Sequence, residues 1–285
     1  MVSREELKLD KNDFELLRKQ IYRMCGLTIS EGKEYLIQHR FKALYKSRNC
    51  RSWGEFYKLL VSGDIHFKEE AISAISTHET SFFRDNHPFT SIRNKVLPEL
   101  LKNRRPGGKI KIWCAASSTG QEPYSLSMLI HEWTRTAGGG KLSPADFSIM
   151  ATDISGPVIE RAKEGLFSNL EKSRGLPSGY DKYFEKNGNS WQVDSAVKSL
   201  VTFKKFNLLD SFRSLGQFDF VMCRNVLIYF DDPTKIDIVH RIHDMLPDKG
   251  YLMLGATETL AGHTDRFTTE HMGAVILYRK MRGIK

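Results

Sequence analysis

The segment Ala115–Ser125 combines small, polar and acidic residues in an order that suits a cationic ligand. It follows a short apolar run and leads into a helical pattern, so a ligand could approach the backbone near free N–H groups at the helix start. The phosphate-binding pattern G-x-x-x-x-G-K-[ST] and a clean G-x-G-x-x-G are both absent, and glutamine rather than lysine follows Gly120. With Glu122 in the loop, the segment favours S-adenosylmethionine, which carries an ammonium and a sulfonium group.

Three further segments place polar side chains directly after strand-like runs. Asp153 ends the second run, where a carboxylate can hold a ribose diol by two hydrogen bonds. Capping of the next helix is the alternative for Asp153, but the occurrence of this residue together with the loop favours the ribose. Asn207 and Leu208, after the third run, can frame an adenine edge. Asn225 and Tyr229, after the fourth, lie where a transferred group would be.

Strand-like and helical patterns alternate in the second part of the chain. The expected strands are 109–115, 147–152, 201–206, 218–223 and 251–255, and the expected helices are 122–135, 155–165 and 233–246. Asp232 is expected to cap the last of these helices. The alternation predicts an α/β fold with a doubly wound, Rossmann-like parallel sheet, in which ligands bind at the carboxyl ends of the strands. The run Ala274–Tyr278 has no helix after it and is expected to pair antiparallel at an edge.

The region between Gly165 and Val201 does not fit an ordinary crossover helix, because it is rich in glycine, serine, asparagine and lysine. A turn signal at Asn187–Asn189 precedes a short strand-like run. We therefore expect a helix and a small antiparallel β-subdomain inserted into the sheet domain at about 180–203.

The front of the chain predicts a small all-helical N-terminal domain at residues 1–76. Its helical patterns cover 13–25, 37–44, 54–60 and 68–75. A linker and cofactor-contacting segment is expected at 77–108, and the cofactor-binding domain at 109–285. Between Gly32 and Lys58, seven basic side chains stand against only Glu34 and Glu55. This excess suits docking to an acidic partner, and a solvated helix face is the alternative explanation.

Composition narrows the class of protein. The chain has 285 residues, 40% hydrophobic content and a formal net charge of +9. No apolar run approaches the roughly 18–20 residues that cross a bilayer, and the start lacks an apolar signal segment, so a cytoplasmic protein without membrane insertion is expected. The four cysteines lie far apart, with no pair or histidine cluster at zinc spacing, which predicts reduced thiols and no metal site.

Five motifs together resemble the CheR-type chemotaxis receptor methyltransferases, a family that methylates glutamate side chains on bacterial chemoreceptors. They are HETSFFR at 78–84, SSTGQEPYS at 117–125, ATD at 151–153, NLL at 207–209 and CRNVLIYF at 223–230. They occur in the family's order, and the resemblance covers nearly the whole chain. Two positions depart from the family: His78 stands where asparagine is usual, and Gln121 where glutamate is common.

The resemblance implies a role for individual residues around S-adenosylmethionine, whose product is S-adenosylhomocysteine. The implied cofactor contacts are His78, Thr80, Arg84, Glu122, Asp153, Asn207, Leu208, Asn225 and Val226. Glu122 would bind the ammonium group, and Asp153 the ribose. Arg84 and Tyr229 are the catalytic candidates, which would orient the substrate carboxylate. Phe82 and Phe83 are expected to be core residues rather than site residues.

The implied reaction is O-methylation of receptor glutamates to methyl esters, for chemotactic adaptation. A glutamate side chain with a pKa of about 4.3 is already ionised at neutral pH, so its attack on the sulfonium methyl group needs no general base. Two alternatives stay open: a methyltransferase of the same fold with another substrate, and a non-catalytic, cofactor-binding signalling scaffold.

The implied partner is the cytoplasmic helical bundle of a chemoreceptor; no nucleic-acid partner is expected, and the enzyme is expected to be a monomer. Some family members also bind a peptide from the receptor's C terminus as an added edge strand of the inserted sheet. Here the segment Phe184–Phe203 is shorter than in those members, and its turn lacks the extra glycine-containing residues that allow close backbone approach. We therefore expect no such peptide binding.

Overall fold

In the computed structural model, which describes residues 8–62, 64–137 and 142–281, the front of the chain is helical. The α-helices within residues 8–62 and 64–76 are α1 (Lys11–Cys25), α2 (Glu34–Ser47), α3 (Trp53–Val61) and α4 (Ile65–Ile75). All four begin slightly earlier than the sequence patterns indicate. In α1, α3 and α4 the side chains of Asp10, Ser52 and Asp64 accept hydrogen bonds from first-turn N–H groups and so cap the helix. The apolar faces of all four helices pack into a core of their own.

A long helical connection joins this core to the sheet. α5 (His87–Ser91) continues through a π-helical turn, Ile92–Val96, into α6 (Leu97–Asn103). Phe89, Ile92 and Leu97 are buried on one face of the sheet. Much of the connecting segment is therefore helical, and its apolar side belongs to the core of the sheet domain.

The remaining elements alternate along the chain. The strands are β1 (Ile110–Ala115), β2 (Phe147–Asp153), β3 (Leu166–Ser168), β4 (Phe184–Asn187), β5 (Ser190–Val193), β6 (Val201–Lys205), β7 (Phe220–Cys223), β8 (Tyr251–Leu254), β9 (Phe267–Met272) and β10 (Val275–Lys280). The helices are α7 (Gln121–Ala137), α8 (Gly156–Glu164), α9 (Asn169–Ser173), α10 (Ser195–Ser199) and α11 (Asp232–Met245).

The larger sheet of the described chain has the strand order β6-β2-β1-β7-β8-β10-β9. The first five strands in this order are parallel, and β10 pairs antiparallel with both of its neighbours, β8 and β9. Neighbouring residues of β1 point to opposite faces: Ile112 joins the core on the α7 side, and Trp113 joins the core on the α11 side. The order of strand addition reverses between β1 and β7, which is where ligands bind in doubly wound folds.

The predicted fold class is confirmed, with corrections at particular elements. The run expected at Ala274–Tyr278 is β10, and it pairs antiparallel with β8 as expected. Its other neighbour, β9, was not anticipated because the strand is mostly polar and exposed. The expectation that Asp232 caps α11 was wrong: Asp231 does so, and its side chain accepts from the N–H of Thr234.

The inserted subdomain is a small antiparallel sheet with the order β3-β5-β4. The predicted turn at Asn187–Asn189 joins β4 to β5, and Gly188 adopts a φ of 58° there. The third strand is β3, upstream of the segment expected to form the subdomain, whereas β6 belongs to the larger sheet. Trp191 of β5 packs against the ammonium group of Lys172, 3.8 Å from the ring centre.

Within the described ranges, no helix has both the length and the apolar character needed to cross a membrane.

Candidate functional site

A pocket lies at the carboxyl ends of β1, β2, β6 and β7, and every residue predicted for the site lines it. These residues are His78, Thr80, Arg84, Glu122, Asp153, Asn207, Leu208, Asn225, Val226 and Tyr229. Residues that sequence reasoning did not select complete the wall, among them Cys25, Leu27, Ser117 and Arg224. The topology explains the convergence, because parallel strands deliver the loops that follow them to one edge of the sheet.

The loops around the pocket contain non-glycine residues with left-handed backbone angles. Ala116 has a φ of 54° and Ser118 one of 51° after β1, and Asn225 has a φ of 56° after β7. Asp85, next to Arg84, has a φ of 67°. Such conformations cost roughly 1–2 kcal/mol per residue and persist where surrounding contacts impose them, which is common at binding sites.

Asp153 is buried and bonded to the backbone on both sides. Its Oδ2 accepts from the N–H of Ser118 at 2.9 Å, and its Oδ1 accepts from the N–H of Ser155 at 3.0 Å. The alternative that Asp153 caps the next helix is wrong: the N-cap of α8 is Ser155, and the bond from Asp153 reaches the N–H of Ser155, before the first turn of the helix. Each carboxylate oxygen can accept a second hydrogen bond, so this contact does not remove the predicted ribose role.

Glu122 forms an ion pair that the sequence analysis did not anticipate. Its Oε2 lies 2.7 Å from Nη1 of Arg224, and Nη2 of the same guanidinium lies 2.7 Å from Oδ2 of Asp85. Burial raises the pKa of Glu122, and Arg224 opposes that shift. Arg224 is part of the CRNVLIYF motif and directly follows a buried strand. A buried arginine requires a carboxylate partner, so this position in the sequence could have indicated the ion pair.

Glu258 shapes the loop after β7. Its buried carboxylate accepts from the backbone N–H groups of Asn225 at 2.7 Å, Val226 at 3.0 Å and Ile228 at 3.3 Å. It also accepts from the N–H of Gly255 at 2.7 Å. Four donors on one carboxylate fix the loop that carries Tyr229. No sequence pattern marked Glu258, because its role depends on a contact between two distant loops.

Asn207 connects the third loop to the N-terminal domain. Its Nδ2 donates to the carbonyl of Met24 at 2.9 Å, and its Oδ1 accepts from the N–H of Leu209 at 3.0 Å. The side-chain amide is thus used to hold the loop. Leu208, next to Asn207, has a buried side chain that lines the pocket.

The N-terminal domain forms part of the pocket wall. The N–H of Thr28 donates to the carbonyl of Tyr229 at 2.8 Å, and the hydroxyl of Tyr22 donates to Asp231 at 3.1 Å. Gly26, with a φ of 73° at the end of α1, lies against the ring of Phe230, where a Cβ would overlap it. The end of α1 therefore supports the same loop that Glu258 holds from the other side.

The HETSFFR segment runs between the two domains. The imidazole of His78 lies 3.1 Å from the carbonyl of Ser73 on α4, so its ring faces the N-terminal domain. Nη1 of Arg84 donates to the carbonyl of Glu79 at 3.1 Å. Phe82 and Phe83 are buried, which confirms their expected core role.

The pocket fits a cofactor with a cationic end, a polar middle and an apolar ring. Two carboxylates, Glu122 and Asp153, line it together with the apolar side chains of Phe206 and Leu208. The buried hydroxyl of Ser117 also lines the pocket and has no hydrogen-bond partner within the described chain. A ligand that donates or accepts there would satisfy it.

The four cysteines are free and buried. Cys114 and Cys223 lie in β1 and β7 beneath the pocket, where burial raises the pKa of both thiols. These two thiols are therefore neutral and unreactive, as is typical of buried structural cysteines.

Comparison with known proteins gives matches along nearly the whole chain. Residues 12–76 match the family model described as CheR methyltransferase, all-alpha domain, and residues 78–276 match CheR methyltransferase, SAM binding domain. The chain is 42% identical to chemotaxis protein methyltransferase 1 of Pseudomonas aeruginosa over 94% of this chain and 97% of that protein. It is 41% identical to chemotaxis protein methyltransferase Cher2 of Pseudomonas putida, with the same coverage. The chemotaxis protein methyltransferase of Vibrio parahaemolyticus is 40% identical over 90% of this chain and 92% of that protein.

Proposed function

Since this chain belongs to the CheR methyltransferase family, we propose that it transfers the methyl group of S-adenosylmethionine to glutamate side chains on chemoreceptor helices, forming methyl esters for chemotactic adaptation. It is an S-adenosylmethionine-dependent methyltransferase. The substrate follows from the family, and we place the reaction on the cytoplasmic part of the receptor, with the enzyme acting as a monomer.

One observation carries the proposal. All the residues that the family resemblance selected from five separate motifs line a single pocket. These residues come from segments that are distant in the chain, since His78 and Tyr229 both line the pocket. The carboxylates of Glu122 and Asp153 line the same pocket, which supports binding of a cationic cofactor.

Within this pocket Glu122 would bind the ammonium group of the cofactor, and Asp153 would hold the ribose hydroxyls. Leu208 and Val226 would bound the adenine. When bound, S-adenosylmethionine supplies an activated methyl group. Ser117 offers a buried hydroxyl for one further polar contact.

Arg84 and Tyr229 are the groups that would orient the substrate carboxylate. The guanidinium has a planar fork that matches two carboxylate oxygens, and the phenol offers one donor. The substrate is already ionised, so orientation rather than proton transfer is what these residues contribute. Correct placement of two reacting groups can be worth roughly 7–11 kcal/mol of the barrier.

The exposed cations of the α2 region would capture the receptor. Lys33, Lys46, Arg51 and Lys58 are exposed. Arg40 is used within the fold, since it donates to the carbonyl of Ser76 and to Thr77. Lys33, Lys46, Arg51 and Lys58 are therefore among the exposed cations that can meet an acidic helical bundle.

The test is incubation of the protein with radiolabelled S-adenosylmethionine and receptor-containing membranes. We expect label on the receptor that is released by base, as a methyl ester requires. Arg84→Ala should remove most of the turnover, whereas Arg105→Ala, an exposed arginine, should not. Label that resists base, or label on nucleic acid or a small molecule instead of the receptor, would contradict the proposed substrate.

A further inference from the structure

Arg224 connects three parts of the pocket through one buried guanidinium. Its side chain is 1% exposed, and its Nη1 and Nη2 each lie 2.7 Å from a carboxylate oxygen, of Glu122 and Asp85 respectively. Nη2 is also 3.4 Å from the carbonyl of Arg84. We infer that Arg224 is a positioning residue for methyl transfer, which holds the Glu122 carboxylate toward the cofactor and the Arg84 backbone toward the substrate. This inference rests on the proposed function.

The two ion pairs of Arg224 explain how a charged guanidinium can be buried at this position. Removing a charged group from water is costly, and it is tolerated when opposite charges and hydrogen bonds compensate. Arg224 has two carboxylate partners on different segments, one on α7 and one next to Arg84. Its Nε is buried without a hydrogen-bond partner among the described residues. The guanidinium is therefore oriented toward the two carboxylates, at the expense of a hydrogen bond from Nε.

The charges around Glu122 make Arg224 the contact that matters most for its ionisation. Burial is the largest influence and raises its pKa, while the guanidinium of Arg224 lowers it by charge and hydrogen bond. Arg84 lowers it further, and Glu258 raises it. The neighbouring thiol of Cys114 is neutral, because burial raises its pKa well above the ordinary value. The same holds for the thiol of Cys223.

Only an ionised Glu122 can pair with an ammonium group. Without Arg224, burial would raise the pKa of Glu122 with little opposition, and the carboxyl would be protonated at a higher pH. Cofactor affinity would then be lost at a higher pH as the solution is acidified. A residue that served only to fill space would not shift this profile.

Arg224 also contacts the backbone of Arg84, the residue proposed to orient the substrate carboxylate. The backbone at Asp85 has a φ of 67°, a strained conformation for a residue with a side chain, and the Asp85 carboxylate is held by Arg224. Loss of this pair would free the backbone that carries Arg84. Turnover at saturating cofactor should therefore fall as well as cofactor affinity.

The experiment compares wild type, Arg224→Lys and Arg224→Met by calorimetric titration at several pH values. Two ligands are used. S-adenosylhomocysteine carries the ammonium group, and methylthioadenosine has the same adenine and ribose without the amino-acid end. Arg266→Met is the matched control, because Arg266 is exposed and pairs with the exposed Asp244.

For Arg224→Met we expect S-adenosylhomocysteine to bind more weakly at neutral pH, on the order of tenfold, with affinity falling off at higher pH than in wild type. Arg224→Lys should recover part of both effects, since it keeps the charge. Methylthioadenosine affinity should be unchanged in either variant, which also reports that the adenine side is folded. In a Glu122→Gln background, Arg224→Lys should no longer shift the pH profile.

Equal losses for both ligands, or a pH profile in Arg224→Lys and Arg224→Met identical to that of wild type, would overturn the role of Arg224. If Arg224→Met fails to fold, Arg224→Lys carries the same comparison with a smaller shift. Failure of the proposed function has a different signature: wild type itself would bind neither ligand, or would bind them without methylating the receptor.

Discussion

The backbone of Gly175 lies directly against the carbonyl oxygen of Phe82, so that a Cβ at position 175 would overlap that oxygen. Gly175 also has a φ of 84°, a conformation that other residues rarely adopt. It belongs to the segment between α9 and β4, and Phe82 lies two residues before Arg84. The inserted subdomain therefore sets the position of the segment that carries the proposed catalytic arginine.

Gly175→Ala should lower both stability and turnover, because the overlap must be relieved by moving the segment around Phe82. We expect a loss of roughly 1–3 kcal/mol in the free energy of unfolding, and a lower kcat. Gly179→Ala is the matched control: its φ is 87°, but nothing lies within 4 Å of its Cβ position. Equal kcat values for the two variants, measured with denaturation curves in parallel, would show that the contact with Phe82 does not matter for catalysis.

Asp153→Ala should weaken cofactor binding by roughly 1.5–3 kcal/mol, the range for hydrogen bonds to a charged group. The structure adds a stability cost, since the N–H groups of Ser118 and Ser155 lose their acceptor. Asp153→Asn keeps an acceptor and the side-chain shape, and it should retain more stability than the alanine variant. Cofactor affinity that is unchanged in a folded Asp153→Ala protein would exclude the ribose role.

Lys46→Glu should weaken capture of the receptor and reduce the salt dependence of capture, because it reverses one charge of the exposed basic surface. Turnover on bound receptor should change little, as Lys46 does not line the pocket. Lys109→Glu serves as control. It makes the same change in net charge directly before β1, at the end of that strand that lies away from the pocket. Unchanged capture at low salt in the Lys46 variant would remove the docking role from this surface.

Glu132 links α7 to the inserted subdomain and gives a pH prediction. Burial alone would raise its pKa, but hydrogen bonds from Lys182, Tyr183 and Arg135 hold it at about 2. A carboxyl whose pKa is depressed in the folded state contributes stability above its unfolded pKa, and that contribution is lost as pH falls toward the folded value. The stability of wild type should therefore decline between about pH 4.5 and pH 2 more steeply than that of Glu132→Gln.

Urea denaturation at a series of acidic pH values measures this difference. Glu160→Gln is a suitable control, because Glu160 is exposed and its ion-pair partner, Lys163, is an exposed residue of the same helix. Parallel pH profiles for wild type and Glu132→Gln would show that the Glu132 contacts do not contribute to folding stability.

We also expect no measurable affinity for receptor C-terminal pentapeptides. The turn between β4 and β5 is the tight Asn187–Asn189 turn, without additional glycine-containing residues that would let a second backbone approach. Calorimetric titration with the pentapeptide and with a scrambled peptide tests this expectation. Micromolar binding of the authentic peptide alone would contradict it and leave the methyltransferase assignment in place.

The sequence predicted the parts of the site that depend on local pattern. Strand-like runs and the polar residues after them located Asp153 and Tyr229 at one sheet edge, because parallel topology brings strand ends together. Contacts between distant segments left little or no pattern in the sequence. Glu258 binds the N–H of Asn225, 33 positions earlier in the chain, and the sequence of neither segment indicates the contact. The support of Tyr229 by Thr28 likewise depends on how two separately folded cores meet.

The pocket is built from both ends of the chain, since Thr28 and Glu258 fix the same loop. It can therefore exist only when the helical domain and the last parallel strand are both in place, and a chain still emerging from the ribosome has no complete site. A ligand that binds only the finished protein stabilises it by mass action, about 2.7 kcal/mol at a ligand concentration one hundred times Kd. S-adenosylmethionine would thus protect the two domains against unfolding together.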